Sequence, residues 1–139
     1  MTLQYSTAVR NAKLDAVETA IGTAPILRLY SGTVPANPAA ALSGNTKLAE
    51  GSLPSDYLAN AASGVKSKSG SWTLTGQSGA GAGTAATFFR IYDSGDTTCH
   101  MQGSVSASGG GGDMTLDNNS IANAQSVSVA SFSITAGNA

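Results

Sequence analysis

The spacing of apolar residues changes once along the chain, from a helical period to an alternating one. Between residues 6 and 21 one apolar stripe recurs at helical spacing, made of Ala8, Ala12, Ala16, Ala20, Leu14, Val17 and Ile21. Such a stripe predicts an amphipathic helix whose stability comes from docking that stripe on another surface. Ser6 or Thr7 is suited to cap its start, and Gly22 is suited to end it.

From Ala24 onward apolar and polar residues alternate, which is typical of β-strands with one buried face. The predicted strands are residues 26–30, 48–53, 69–75, 84–92, 97–106, 113–116 and 125–135. Residues 84–92 and 97–106, joined by a short turn at 93–96, form the clearest hairpin. Pro35 and Pro38 predict a loop over residues 33–43, and four glycines predict a flexible connection over residues 76–83.

The last predicted strand changes phase within its length. Val127 and Val129 share one parity, whereas Phe132 and Ile134 share the other. A strand that shifts by one residue exchanges its two faces unless an extra residue is inserted, so the pattern predicts a β-bulge near residues 130–131.

Short strands separated by polar turns, with no helices between them, predict a mainly β fold. We expect an antiparallel sandwich or jelly roll preceded by one N-terminal α-helix. Residues 1–23 would form a helical arm, and residues 24–139 would form the jelly-roll-like domain.

Composition narrows the possible partners. Charged residues make up 11% of the chain and the formal net charge is −1, against about 25% charged residues in an ordinary domain. Nucleic acid, which requires a concentrated basic face, is therefore not an expected partner. A surface with few charges repels other proteins weakly, so we expect the chain to self-associate into a homo-oligomer.

Features of export and membrane insertion are missing from the sequence. No apolar run reaches the ~20 residues that a membrane helix needs, and the first residues lack the pattern of a signal peptide. Cys99 is the only cysteine, which excludes an intrachain disulfide. We therefore expect synthesis in a cytoplasm and no association with membranes.

Candidate catalytic groups are few. Cys99 and His100 are adjacent, but successive strand residues point to opposite faces, so we expect a buried thiol and an exposed imidazole. Arg90 lies between two apolar residues of a strand, where we expect it to face solvent or an interface; the alternative is an anion site. No catalytic residue is predicted, and we expect no enzymatic activity.

Oxygen-bearing side chains cluster at Asp113, Asp117, Asn118 and Asn119. A structural cation is one reading, although the spacing does not fit an EF-hand. Turn formation around a short strand is the other reading and the preferred one. We expect no metal and no cofactor.

The charges of the predicted helix oppose its macrodipole. Arg10 and Lys13 are placed early, whereas Asp15 and Glu18 are placed late, so the helix gains little from its own electrostatics. Because these cations do not stabilise the helix, we expect them to pair with acidic groups of a neighbouring protein. Tyr5, Arg10 and Lys13 are therefore the candidate interface residues.

Several sequence segments resemble a family of short tailed-phage and prophage virion proteins. They are Leu3-Gln4-Tyr5-Ser6-Thr7 with Arg10-Asn11, Ile26-Leu27-Arg28-Leu29-Tyr30-Ser31-Gly32, Phe89-Arg90-Ile91-Tyr92-Asp93-Ser94, Thr98-Cys99-His100-Met101-Gln102-Gly103, Gly112-Asp113-Met114-Thr115-Leu116-Asp117-Asn118 and Ile134-Thr135-Ala136-Gly137-Asn138-Ala139. The resemblance covers essentially the whole chain. In size and strand pattern the chain is also similar to jelly-roll cement proteins on the outside of phage heads.

This resemblance implies a structural protein of the virion, assembled in the host cytoplasm. The expected function is that of a capsid cement (decoration) protein, whose partners are the major capsid protein and copies of itself. The alternative is a tail or baseplate component, including a small receptor-binding module. A sugar-binding or hydrolytic jelly roll is a weaker third reading, because aromatic residues make up 6% of the chain and no carboxylate pair is placed for sugar chemistry.

Overall fold

The computed structural model describes residues 1–137, and it begins its regular structure with one helix, α1 (Thr7–Ile21). The Ser6 hydroxyl accepts a hydrogen bond from the Val9 amide at 3.3 Å, which caps the first turn. Gly22 ends the helix with φ 87°, a conformation that glycine adopts without strain, and donates its N–H to the Glu18 carbonyl. Both predicted caps are confirmed.

Ten strands follow within the described residues. They are β1 (Ile26–Ser31), β2 (Thr46–Ser52), β3 (Val65–Ser67), β4 (Thr73–Gly76), β5 (Thr84–Ala85), β6 (Phe88–Tyr92), β7 (Cys99–Ala107), β8 (Met114–Leu116), β9 (Ser120–Ile121) and β10 (Ser126–Thr135). Of the residues, 39% are in strands and 13% are helical. The predicted fold class, mainly β with one N-terminal helix, is therefore confirmed.

The main sheet closes on itself in a barrel- or sandwich-like arrangement. Its strands follow the order β10, β4, β2, β1, β6, β7 and β8, and β8 pairs again with β10. The pairings are antiparallel except that of β7 with β8, which is parallel, in contrast to the fully antiparallel sheet expected from sequence. β3 lies outside this ring and pairs with the end of β10, whereas β5 and β9 form a separate two-stranded sheet.

β10 makes closure possible because it is long and bulged. One edge pairs first with β4 and then with β3, and the other edge pairs with β8 between Val129 and Phe132. The register shifts between Val129 and Ser131, where two successive residues, Ala130 and Ser131, are both exposed. This is the predicted bulge, and it lets both halves of the strand bury their apolar residues.

The enclosed core is aliphatic with a small aromatic group. The Phe89 and Phe132 rings meet edge to face, with centroids 5.6 Å apart, and Trp72 packs against Phe132 at 5.4 Å. Trp72 satisfies its indole N–H by donating to the carbonyls of Tyr57 and Ser69. The seven ring strands therefore surround one continuous apolar core.

Some predicted boundaries are wrong. β3 was not predicted, the strand predicted at 69–75 begins only at Thr73, and the run 84–92 is divided between β5 and β6. Residues 76–83, predicted to be a flexible connection, contain a 3₁₀ turn at Ser78–Ala80 with Ala80 buried. The last two residues of the predicted domain and of the family resemblance, Asn138 and Ala139, lie outside the described residues.

Candidate functional site

The helix docks only the larger residues of the predicted stripe. Leu14 and Ile21 are buried and Val17 is partly buried. All four alanines of the predicted stripe are exposed; they are Ala8, Ala12, Ala16 and Ala20. Docking is therefore decided by the larger side chains and by the polar residues beside them, because a methyl group buries little area compared with a leucine or isoleucine.

A buried lysine of β3 joins the helix to the sheet. Lys66 is 1% exposed, and its Nζ lies 2.8 Å from both Asp15 Oδ1 and Glu18 Oε2. Burial acts to lower the pKa of Lys66, but the hydrogen bonds to the two carboxylates outweigh it and raise that pKa. Asp15 and Glu18, which oppose the helix dipole, thus serve to hold a charged Lys66.

Arg10 and Asn11 fasten the first turns of the helix to the ends of β3 and β10. Arg10 Nε donates to the Ala136 carbonyl at 2.7 Å, and Asn11 Oδ1 accepts from the Gly64 N–H at 2.8 Å. Arg10 also reaches the Ser63 carbonyl at 3.4 Å. These contacts give Arg10 a structural role within the chain, so its place early in the helix does not require a neighbouring protein.

Lys13 and Tyr5 lie together on the outside of the helix. The Lys13 ammonium is 4.4 Å from the centroid of the Tyr5 ring, which is a cation–π contact. Lys13 is exposed and Tyr5 is half-buried. Contact of Tyr5, Arg10 and Lys13 with another protein stays a prediction.

We call the solvent-facing side of α1 the outer helix face. Its exposed residues are Thr7, Ala8, Val9, Ala12, Lys13, Ala16, Thr19 and Ala20. Among these described residues one, Lys13, is charged, whereas Arg10, Asp15 and Glu18 lie on the docked side. The helix therefore buries its larger apolar residues as an ordinary surface helix does, but three of its charged residues lie beside them and its alanines face solvent.

A cleft of about 530 Å³ lies beside the junction of helix and sheet, with Asp15, Glu18, Asp56 and Lys66 in its lining. The Lys66 ammonium is already paired with Asp15 and Glu18, and Asp15 also accepts the Ala61 N–H at 3.1 Å. These contacts give Asp15, Glu18 and Lys66 a structural role at the junction.

Cys99 and His100 share no hydrogen bond in the described residues, and the register of β7 on β6 shifts between Cys99 and Met101. His100 is exposed, whereas Cys99 is half-buried and its thiol contacts the Met101 carbonyl at 3.5 Å. Burial raises the pKa of the Cys99 thiol, which keeps it protonated near neutral pH. The pair is therefore not arranged as a nucleophile with its base.

Arg90 is 3% exposed, so the expectation that it faces solvent or an interface is wrong. Its Nη2 donates to the carbonyls of Asn37 (3.2 Å) and Ala40 (2.9 Å), and its Nε donates to Gln102 Oε1 at 3.1 Å. The guanidinium thus holds the loop of residues 33–43 against β6 and β7, and its donors serve carbonyl groups rather than an anion.

The acidic and amide side chains of residues 113–119 hold turns together. Asp113 Oδ2 accepts from the Ser104 N–H (2.8 Å) and hydroxyl (2.6 Å), and Asp117 Oδ1 accepts from the Ser128 N–H at 3.0 Å. Asn118 accepts from the Ser120 N–H. Within residues 1–137 no group of three or more His, Cys, Asp or Glu side chains is placed to hold a metal ion.

We expect Asp113 to make the thermal stability of the protein depend on pH. Hydrogen bonds from the Ser104 hydroxyl and N–H lower the pKa of Asp113, so its contribution is present above the unfolded pKa of about 3.9. That contribution is lost as pH falls through the lowered folded pKa. We expect Asp113→Asn to melt below the wild type at about pH 7 and to approach it at about pH 2. A constant difference in melting temperature at both pH values would contradict this assignment.

Comparison of the chain with protein-family models, curated proteins and solved structures found no match. No helix in residues 1–137 combines the length and apolar character needed to cross a membrane. Function therefore has to be inferred from the residues of this chain and from the surfaces that they form.

Sequence reasoning singled out Arg10 and Lys13 but missed Lys66, the residue that holds the helix. A lysine between Val65 and Ser67 gives no signal of burial, because lysine is almost never fully buried unless it is paired. Asp15 and Glu18 lie late in the helix, where negative charges are unfavourable to its dipole. Their position was a signal in the sequence that a cation from another segment pairs with them.

Proposed function

We propose that this chain is a non-enzymatic structural protein of a tailed-phage virion. We infer that it acts as a capsid cement, bridging subunits of the major capsid protein. The resemblance of its sequence segments to short tailed-phage proteins supports a virion origin. Its function would be mechanical: it would bury surface across subunit joints and oppose their separation.

The outer helix face is the observation that carries this proposal. Its residues are small or apolar with one cation, so a partner can approach closely and few charges need to be desolvated. Val9 is 44% exposed, an apolar side chain next to the exposed alanines. Four alanines on this face are exposed to solvent and do not contribute to the core of the chain. An exposed face of small apolar residues is suited to pack against another protein.

The rest of the fold supports a mechanical function. The seven-stranded ring is closed by β8, which pairs with both β7 and β10. Lys66 of β3 and Arg10 fix the helix beside it. A body of this kind can transmit force between two contacts without unfolding locally. Many symmetry-related copies would make a modest contact per copy sufficient, because avidity multiplies it.

The first test changes the outer helix face. Ala12→Glu together with Ala16→Glu adds two charges at exposed helical positions, where glutamate is a good helix former. We expect the protein to fold normally but to occupy purified virions at less than about a tenth of the wild-type level. The matched control, Ala41→Glu with Ser94→Glu, adds the same charge at exposed positions away from the helix.

Quantification of gel bands from purified virions measures the number of copies of the protein per particle. This number tests both the binding of each variant and the function proposed for the protein. Copies comparable in number to major capsid subunits support a cement, whereas a few copies per particle support the tail or baseplate alternative. Unchanged occupancy of the helix variant, with normal occupancy of the control, would contradict docking through the outer helix face. Virions that lack the protein altogether would overturn the proposal.

A further inference from the structure

β8 is shorter than the two strands between which it lies. It pairs with β7 from Val105 to Ala107, and with β10 between Val129 and Phe132. β7 begins six residues before Val105, at Cys99, and β10 continues to Thr135. Beyond the end of β8, no strand lies between β7 and β10. We call this gap the open seam; it is bounded by residues 99–104 of β7 and 133–135 of β10.

The edges that bound the open seam have no strand partner within residues 1–137. Each bounding segment is paired on its other edge, β7 with β6 through Gly103 and Phe89, and β10 with β3 through Ser133. At β8, β7 and β10 are two strand spacings apart, about 9.5 Å, which is the room that one further strand needs. An unpaired edge of this kind is a template for an added strand.

A side chain already replaces a strand at one end of the seam. The Ser104 N–H, which immediately precedes the part of β7 that pairs with β8, donates to the Asp113 carboxylate at 2.8 Å instead of to a strand carbonyl. The chain turns away at Gly112, so β8 cannot extend further along the seam. The next residues of β7 toward Cys99 have no equivalent substitute in the described chain.

The seam has an apolar floor. A cleft of about 460 Å³ lies there, and its lining includes the core rings of Phe89 and Phe132 and the partly buried side chains of Met101 and Ile134. Of the described residues that line it, Asp113 is the charged one. An uncharged strand that presents an apolar residue at alternate positions would fit this lining.

The first five residues of the chain have that pattern. Met1, Leu3 and Tyr5 alternate with Thr2 and Gln4, and none of the five side chains is charged. The segment has no regular secondary structure, and Leu3 is 67% exposed. Five extended residues span about 17 Å, enough to run the length of the seam.

We propose that residues 1–5 of one copy lie in the open seam of a second copy, as a strand added between β7 and β10. Leu3 would face the floor near Phe89 and Phe132, while Thr2 and Gln4 would face solvent. None of residues 1–5 lines the cleft at the seam of its own chain. This proposal is independent of the capsid role proposed above.

Directed cross-linking tests the arrangement, in a Cys99→Ser background that removes the native thiol. One chain carries Gln4→Cys and a second, tagged to differ in mass, carries Ser133→Cys; both positions are exposed. We expect a disulfide-linked heterodimer from the mixture. The control pairs Gln4→Cys with Ser126→Cys, which lies on the same strand about 23 Å from Ser133 and should cross-link at least about tenfold less.

The second arm measures self-association by light scattering over a dilution series. We expect wild-type protein to associate, and Leu3→Glu to raise the dissociation constant by at least about tenfold, because Leu3 would no longer be buried. Leu42→Glu, at an exposed apolar position in the loop of residues 33–43, is the matched control and should associate like wild type. Circular dichroism confirms that both variants fold.

Three results would overturn the proposal. Wild-type protein that remains monomeric throughout the series excludes it, as does an equal effect of Leu3→Glu and Leu42→Glu. The third is a cross-link that forms only within a chain carrying both Gln4→Cys and Ser133→Cys, since the arm would then fill the seam of its own chain.

Discussion

Replacing Gly76 by alanine should destabilise the protein more than any other single methyl group added to this chain. A Cβ at this position would overlap the Ala122 carbonyl oxygen and lie 3.1 Å from the Gln125 nitrogen. The surrounding atoms are backbone, and Gly76 itself donates to the Gln125 carbonyl at 2.7 Å and accepts from the Ala124 N–H at 2.9 Å. No flexible side chain can move aside.

We expect Gly76→Ala to lower the free energy of unfolding by more than about 3 kcal/mol, the upper end for overpacking, measured by urea denaturation. Gly111→Ala is the matched control, because a Cβ at Gly111 would meet nothing within 4 Å. A loss below about 1 kcal/mol for Gly76→Ala would show that residues 76 and 122–125 are not packed as described.

Lys66→Ala should release the helix from the sheet. Removing one member of a fully buried ion pair costs roughly 3–5 kcal/mol, because the remaining charge is left without a partner. The carboxylates here are partly hydrated, with side-chain exposures of 48% for Asp15 and 23% for Glu18. We therefore expect a smaller loss, about 2–3 kcal/mol of unfolding free energy.

Urea denaturation followed by circular dichroism measures the effect of Lys66→Ala. Lys47→Ala is the control, because Lys47 pairs with Glu50 at 2.9 Å on the surface and should contribute less than about 1 kcal/mol. If the two variants lost equal stability, the buried pairing of Lys66 would not be what holds the helix. A larger loss of unfolding free energy for Lys66→Ala than for Lys47→Ala would support Lys66 of β3 as the residue that holds the helix on the sheet.

The local features of the chain were predictable from sequence, because each depends on a few neighbouring residues. Ser6 and Gly22 cap the helix through bonds to residues three or four positions away. The change to period two identifies the β region, and the hairpin of β6 and β7 is closed by a short turn. The bulge in β10 follows from the phase of four apolar residues, since burial fixes which parity faces the core.

The stripe predicted to dock was right for Leu14, Val17 and Ile21 but wrong for the alanines, because the partner of the helix is distant in sequence. Alanine spacing predicted a docked stripe, yet Lys66, 51 positions from Asp15, turns the ionic side of the helix inward. Arg90 is a similar case, since its burial depends on carbonyls 50 and 53 positions away. Local periodicity contains no information on such partners.

By itself, then, the sequence determined a mainly β chain with one capped N-terminal helix and a bulged last strand. The tertiary structure decided which helix face meets solvent, how the sheet closes, and where its row of strands is incomplete. The physical reason is that strand periodicity fixes which side chains face the core but not which strands become neighbours. The outer helix face and the open seam, the two surfaces proposed to bind other proteins, both depend on those long-range pairings.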